Sequence, residues 1–153
     1  SFDTIVDLTA RVVGAPMVAL EVFDERTDTY RVRAARGLPD DDGWQARTTP
    51  LSALCIRIRD GEPVVSCNNL AAEPALSLDS DLGRLEARSF LGAPVRGPDD
   101  GPAGALVAID RTPRIWSSEE KRLIEALAAL ATQRIVLRAA LETVRILARK
   151  AAG

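Results

Sequence analysis

The second half of the chain constrains its fold most strongly. Two strand-like segments, residues 89–96 and 103–110, flank a turn rich in proline, aspartate and glycine, and a long amphipathic helix follows. Ser117 and Glu120 have the spacing of a capping box at the start of that helix. No proline or glycine interrupts the helix before Lys150, so we expect it to be about 50 Å long and to project beyond the body of a small domain.

Composition narrows the class of protein. A chain of 153 residues, 46% of them hydrophobic and 27% charged, is typical of one globular domain. A net charge of −2 argues against nucleic acid as the main partner. Every apolar run is shorter than the roughly 18 residues of a membrane span, so we expect no membrane insertion. With two cysteines, too few for a disulfide scaffold, the expected location is cytoplasmic and the thiols reduced.

The chain contains no histidine. This absence removes histidine-ligated haem, histidine-containing zinc sites, Ser-His-Asp triads and Cys-His nucleophile pairs. Most common enzyme mechanisms thereby lose a required group. The sequence therefore predicts that the protein is not an enzyme.

The rest of the chain supplies the other elements of the fold. Their expected order is a helix ending at Gly14, strands at 17–23 and 30–36, a helix opened by Thr49 and Pro50, a short strand at 63–67, and a polar segment at 68–88 with one or two short helices. This order predicts an α/β (α+β) fold, in which an antiparallel sheet of five to six strands carries helices on both faces and a long C-terminal helix.

This arrangement resembles a GAF domain. The residues that carry the resemblance are Leu54 and Cys55 together with residues 60–65, 89–95, 104–110 and 116–120. The resemblance covers nearly the whole chain and is weakest before residue 48. It implies one GAF-like domain over residues 1–153, in which residues 134–153 form a projecting signalling and dimerisation helix.

The resemblance implies a sensory or regulatory module. Such a module binds a small molecule between the sheet and residues 68–88, which we call the roof segment, and relays the change through its terminal helices to an attached effector such as a kinase, phosphatase or cyclase. Because the chain starts at Ser1 rather than methionine, we expect it to be a piece of a larger signalling protein. Two alternatives remain: a ligand-free dimerisation scaffold, and a cysteine-dependent free methionine sulfoxide reductase.

Candidate ligand-binding residues lie in and beside the roof segment. They are Cys67, Asn68, Asn69, Arg84 and Phe90. The two asparagines are equally explained as a chain turn, and Arg84 as a surface residue of a short helix. Small residues expected on the sheet floor are Ala93, Ala103, Gly104 and Ala105. They leave room for a ligand if the roof segment stands off the sheet, whereas roof leucines that fill this space indicate a scaffold.

The cofactor remains unknown, although several classes are disfavoured. GAF domains that bind bilin covalently carry a cysteine in the roof segment, and this chain has none there. Haem is disfavoured by the lack of histidine, and the cyclic-nucleotide signature fails because Lys121 and Lys150 are the only lysines.

Three other features each have two explanations. Cys55 and Cys67 are explained as core residues or as a redox pair. The acidic run at 40–42 is explained as a solvated loop or a cation site, and nearby Trp44 as a pocket cover or a sheet-edge residue.

The end of the last helix carries an apolar stripe at 4-3 spacing. Its candidate dimerisation residues are Leu137, Leu141, Val144 and Leu147. These residues have little domain left to cover, so the stripe predicts pairing with the same helix of a second copy as a parallel coiled coil. The expected partners are therefore a second copy, a small-molecule ligand and an attached effector.

Overall fold

The computed structural model describes residues 1–39, 48–61 and 63–153. Six strands form one antiparallel sheet in the order β3-β2-β1-β6-β5-β4. The elements are α1 (Phe2–Val13), β1 (Met17–Asp24), β2 (Thr29–Arg36), β3 (Thr49–Pro50), α2 (Ala53–Asp60), β4 (Val65–Cys67), a 3₁₀ turn (Leu70–Ala72), α3 (Pro74–Ser77), α4 (Ser80–Arg84), β5 (Ser89–Arg96), β6 (Pro102–Asp110) and α5 (Ser118–Ala152). The predicted fold class is confirmed.

The centre of the sheet is the pairing of β1 with β6. Most of β6 is buried on both faces, as its run of apolar residues without alternation predicts. Gly104 makes the close approach of the two strands possible, because a Cβ at this position would lie 2.0 Å from the carbonyl oxygen of Glu21. Any side chain here would push the two central strands apart.

The terminal helices α1 and α5 cover one face of the sheet. Gly14, with a φ of 72°, ends α1 in the left-handed conformation as predicted. The packed residues on this face include Phe2, Ile5, Val18, Leu20, Leu91, Ala93, Leu106, Trp116, Ile124 and Ala131. Because α1 and α5 contact each other as well as the sheet, they form one layer.

Helix α2 and the roof segment cover the opposite face. The packed residues on this side include Met17, Ala19, Tyr30, Val32, Leu54, Cys55, Ile58, Leu70, Leu76, Leu82, Leu85, Phe90, Ala105 and Val107. The sheet therefore lies between two apolar layers, with the short helices of the roof segment on one side and the long terminal helices on the other.

Helix α2 begins later than the sequence predicts, so the expected helix start at Thr49 and Pro50 is wrong. These two residues form β3, paired with Tyr30 and Thr29 at the edge of the sheet. Proline has no N–H to donate, and it is tolerated in an edge strand because one side of that strand has no neighbouring strand to bond. Ser52 is the actual N-cap, and its side chain accepts a hydrogen bond from the Cys55 amide at 3.3 Å.

Helix α5 starts with the predicted capping box. The Ser117 side chain accepts from the Glu120 amide at 3.0 Å, and the Glu120 carboxylate accepts from the Ser117 amide at 2.8 Å. Ala131 is the last fully buried residue of the helix, and every residue from Leu141 onward is exposed.

The acidic run 40–42 and Trp44 lie outside the described residues.

Candidate functional site

A carboxylic acid is buried between the sheet and the roof segment. Alternation along β1 places Met17, Ala19, Glu21 and Phe23 on the roof side of the sheet. Glu21 is 9% exposed, and its cross-strand neighbours are Val32 and Ala105. The other roof-side residues of β1 are apolar, so Glu21 is an ionisable group at a position where an apolar residue is expected.

Glu21 has little hydrogen bonding to offset its burial. The Cys55 sulfur lies 3.9 and 4.0 Å from its two carboxyl oxygens, and no nitrogen or oxygen donor of the described chain reaches them. Burial, reinforced by the negative charges of Asp81 and Asp79, raises the pKa of Glu21 to about 8. The side chain is therefore mainly a neutral acid at pH 7.

The thiol beside Glu21 is also kept neutral. Burial, followed by the charge of Glu21, raises the pKa of Cys55 well above its ordinary value. The Ser52 hydroxyl donates to the Cys55 sulfur at 3.3 Å. Since the thiolate is the nucleophilic form, this environment makes Cys55 a poor nucleophile.

Two aspartates of the roof segment complete the cluster. Asp79 caps α4 by accepting from the amides of Asp81 at 3.0 Å and Leu82 at 3.1 Å, and it also accepts from the Leu54 amide of α2 at 3.1 Å. Asp81 accepts a hydrogen bond from the Tyr30 hydroxyl of β2. Asp79 therefore ties the roof segment to α2, and Asp81 ties it to the sheet.

A small cavity lies within this cluster. Its volume is about 30 Å³, enough for one water molecule. The lining residues are Ala19, Glu21, Tyr30, Val32, Leu38, Ser52, Leu54, Asp81, Leu82, Leu85, Val107 and Ile109. Leu82 and Leu85 of the roof segment are buried, so the roof lies on the sheet and does not stand off it.

A family model described as the GAF domain matches residues 1–135. The chain belongs to the GAF domain family. No curated protein sequence is significantly similar to this GAF domain. Its family and its fold are therefore shown by the family model and by solved structures.

Three similar structures share this fold at low sequence identity. The blue-light absorbing form of the Thermosynechococcus elongatus PixJ GAF domain is 20% identical with a TM-score of 0.76, over 95% of this chain and 88% of that one. A domain of a two-component sensor histidine kinase protein from Sinorhizobium meliloti is 19% identical with a TM-score of 0.73, over 94% of each chain. The free methionine-R-sulfoxide reductase of Neisseria meningitidis, solved with its substrate, is 17% identical with a TM-score of 0.68, over 87% and 74%.

The five sequence-predicted ligand residues lie elsewhere in the GAF domain, and none of them lines the cavity at Glu21. Asn68 Oδ1 accepts from the Trp116 amide at 3.2 Å, and Asn69 Oδ1 caps the 3₁₀ turn by accepting from the Ala71 amide at 3.2 Å. The local bond of Asn69 agrees with the chain-turn interpretation, whereas Asn68 makes a long-range contact that neither interpretation described.

The other three predicted residues fall into the core or on the surface. The side chains of Cys67 and Phe90 are buried in the roof-side core, and the Cys67 carbonyl accepts from Trp116 Nε1 at 3.1 Å. Arg84 is exposed on α4. Of the small residues expected on the sheet floor, Ala105 faces the roof segment, whereas Ala93 faces the terminal helices, so the expectation for Ala93 is wrong.

Sequence reasoning missed the cluster of Glu21, Asp79 and Asp81. A signal for Glu21 was available, because it is the only charged residue in the apolar run 17–23. Asp79, placed just before Ser80 and Leu82, has the pattern of a helix N-cap. Nothing local connects the two segments, so only the folded chain brings them together.

A second group of contacts joins the roof segment to the terminal helices. We call Asn68, Arg114 and Trp116 the junction. The Arg114 guanidinium donates to the carbonyls of Gly14 at 3.0 Å and Val13 at 3.1 Å, at the end of α1. It also pairs with Asp110 and Glu120 and stacks 4.0 Å from the centre of the Trp116 ring.

The junction is anchored on the roof side by Asn68. Its carbonyl accepts from the Arg114 amide at 3.0 Å, in addition to the bond from its side chain to Trp116. The residues that precede α5 are thus bonded both to the start of the roof segment and to the end of α1.

Among the described helices, none has a stretch long and apolar enough to cross a membrane.

Proposed function

We propose that this GAF domain is a sensory or regulatory module that binds a small molecule between its sheet and its roof segment. The observation that carries the proposal is Glu21, a carboxyl group held in the core whose hydrogen-bonding neighbour, within the described part of the chain, is only a thiol. Burying a polar group without a strong partner is costly, and folds keep such groups mainly at functional sites. A ligand that bonds to Glu21 would recover this cost.

Binding requires the roof segment to move. A cavity of about 30 Å³ is too small for a metabolite, because Leu82 and Leu85 occupy the space. The roof consists of one 3₁₀ turn and two helices of 4 and 5 residues, which are too short to be stable by themselves. A ligand shifts the roof to the extent that it binds the displaced arrangement more tightly.

The junction offers a route for the relay. The roof segment begins at Asn68, whose two oxygens hold the backbone of Arg114 and Trp116 just before α5. Arg114 in turn holds the last carbonyls of α1. A displacement of the start of the roof therefore moves the point from which α5 leaves the sheet.

The far end of α5 is the proposed output surface. Leu137 is 51% exposed, Val144 61% and Leu147 60%, and Leu141 is exposed between them. We infer that this stripe pairs with the same stripe of a second copy, as apolar residues at 3.5-residue spacing do. Leu141→Glu should then convert the dimer to a monomer in analytical ultracentrifugation, and Glu142→Gln, on the outward side of the same turn, should leave the dimer intact. A wild-type protein that is already monomeric at high concentration would refute the pairing.

An attached effector and the lack of enzyme activity are further parts of the proposal. The similarity to a domain of a sensor histidine kinase protein supports an effector such as a kinase, with phosphatase and cyclase as the other classes. Burial raises the pKa of both Cys55 and Cys67, and the chain has no histidine to activate a thiol. These features disfavour a cysteine-dependent reductase, despite the similar fold of the Neisseria enzyme.

The second candidate is a ligand-free dimerisation scaffold. The observation that favours it is the packing of Leu82 and Leu85 against the sheet, which leaves space for one water. In a scaffold the roof segment stays closed and the buried Glu21 has no ligand to bind. The two candidates therefore differ in whether a molecule is bound at Glu21.

Native mass spectrometry of the protein purified from its own source separates the two functions. A ligand-binding domain should carry extra mass that is lost on denaturation. Glu21→Met, which fills the same space with an apolar side chain, should lose that mass, while the surface variant Glu25→Gln should keep it. Wild-type protein without extra mass, before and after incubation with a cell extract of small metabolites, would support the scaffold.

A further inference from the structure

Among the described residues, the titratable groups that line the cavity at Glu21 are all acids. Its charged and titratable lining groups are Glu21, Asp81 and Tyr30, and no described lysine or arginine lines it. Asp79 lies close enough that its charge also acts on Glu21, and Cys55 faces Glu21 from α2. An anionic ligand would meet only like charge here, whereas a cation would meet complementary charge.

The carboxyl groups of Glu21, Asp79 and Asp81 differ in how many hydrogen bonds they already accept. Asp79 already accepts three backbone N–H bonds, and Asp81 accepts the Tyr30 hydroxyl. Glu21 is 9% exposed and lines the cavity, and its only hydrogen-bonding neighbour among residues 1–39, 48–61 and 63–153 is the weak Cys55 thiol. Glu21 is thus the group that a ligand would bond, and the two aspartates contribute charge.

We propose that the ligand of this site presents a primary ammonium group, which binds Glu21 in the field of Asp81 and Asp79. This inference rests on the proposed ligand-binding function. A primary ammonium is compact and donates three hydrogen bonds. A divalent metal ion fits less well, because the described residues contain no group of three or more side chains placed to hold one.

Binding exchanges one cation for another. In the empty site the Glu21 carboxyl carries a proton; when the ammonium binds, that proton leaves to solvent and the carboxylate pairs with the –NH₃⁺ group. The groups facing Glu21 are Asp79 and Asp81 from the roof segment, Cys55 from α2 and Tyr30 from β2. Because a proton is released, affinity should rise roughly tenfold for each pH unit until Glu21 is ionised.

Methylammonium chloride is the probe, since it carries the ammonium group and little else. We expect saturable binding in isothermal titration calorimetry, release of close to one proton at pH 6.5 in buffers of different ionisation heat, and an affinity that rises roughly tenfold between pH 6 and 7. Potassium chloride and the neutral methanol should not compete. Glu21→Gln should abolish the binding, whereas Glu25→Gln, which alters an exposed carboxyl in the turn after β1, should not change it.

Several results would overturn the ammonium assignment. Equal binding of methanol, binding without proton release, or undiminished binding to folded Glu21→Gln would each do so. The proton-release measurement uses the wild-type protein and does not depend on how the variant folds. If native mass spectrometry shows a bound molecule without basic nitrogen and methylammonium does not bind, the ammonium assignment fails and the ligand-binding function stands. If neither any bound molecule nor methylammonium binding is found, both fail.

Discussion

Glu21→Gln is the substitution whose effect the structure specifies most closely. Glutamine keeps the size and shape of the side chain and removes its ionisation. In the wild-type protein, the pKa of Glu21 is about 8 in the folded state, against 4.5 for an ordinary glutamate. The proton is therefore bound more tightly by the folded chain than by the unfolded one.

The sign of the effect follows from this difference. Below pH 4.5 both states carry the proton, and the wild type should be about as stable as the variant. Between pH 4.5 and 8 the unfolded chain loses the proton while the folded chain keeps it, so the wild type loses stability as the pH rises. Each pH unit in this window corresponds to about 1.4 kcal/mol, and the total is on the order of 5 kcal/mol.

Urea unfolding of the ligand-free protein at pH 5, 6, 7, 8 and 9 measures the effect. The free energy of unfolding of Glu21→Gln minus that of the wild type should increase by about 1.4 kcal/mol per pH unit up to pH 8 and then level off. Glu25→Gln, which alters an exposed carboxyl in the neighbouring turn, should give a flat difference. A flat difference for Glu21→Gln, or one that falls with pH, would refute the view that Glu21 is a buried neutral acid.

Three further substitutions test the fold around the site. Gly104→Ala should lower the free energy of unfolding in urea by roughly 3 kcal/mol or more, because the new Cβ would lie 2.0 Å from the carbonyl oxygen of Glu21. The control is Gly83→Ala, which should not be comparably destabilised, because outside its own helix backbone and chain neighbours no described heavy atom lies within 4 Å of the new Cβ. Arg114→Gln should lower the free energy of unfolding by roughly 2 kcal/mol and speed amide exchange at the end of α1, since it leaves the carbonyls of Val13 and of the cap residue Gly14 without this donor. Unchanged exchange there would argue against the junction. Ser117→Ala should cost about 1 kcal/mol in thermal or urea unfolding through loss of the α5 cap, and no change would contradict that role.

The sequence determined the elements whose signals are local. Ser117 and Glu120 are three residues apart, so the capping box of α5 forms from neighbours in the chain. The apolar run of β6 predicted a central strand, because a strand covered on both faces needs no alternation. The lack of histidine limited the chemistry before any fold was known.

Only the tertiary structure decided the candidate site. Glu21 and Asp81 belong to segments far apart in sequence, and they meet because the roof segment folds back over β1. The same holds for Asn68, which the sequence suggested as a ligand contact and the fold pairs with Trp116. The predicted start of α2 differs from the observed one for the same reason. Thr49 and Pro50 pair with β2 at the edge of the sheet instead of opening the helix. Local patterns specify helices, caps and strands through contacts between near neighbours, whereas the partner of a polar side chain depends on which distant segments the sheet brings together.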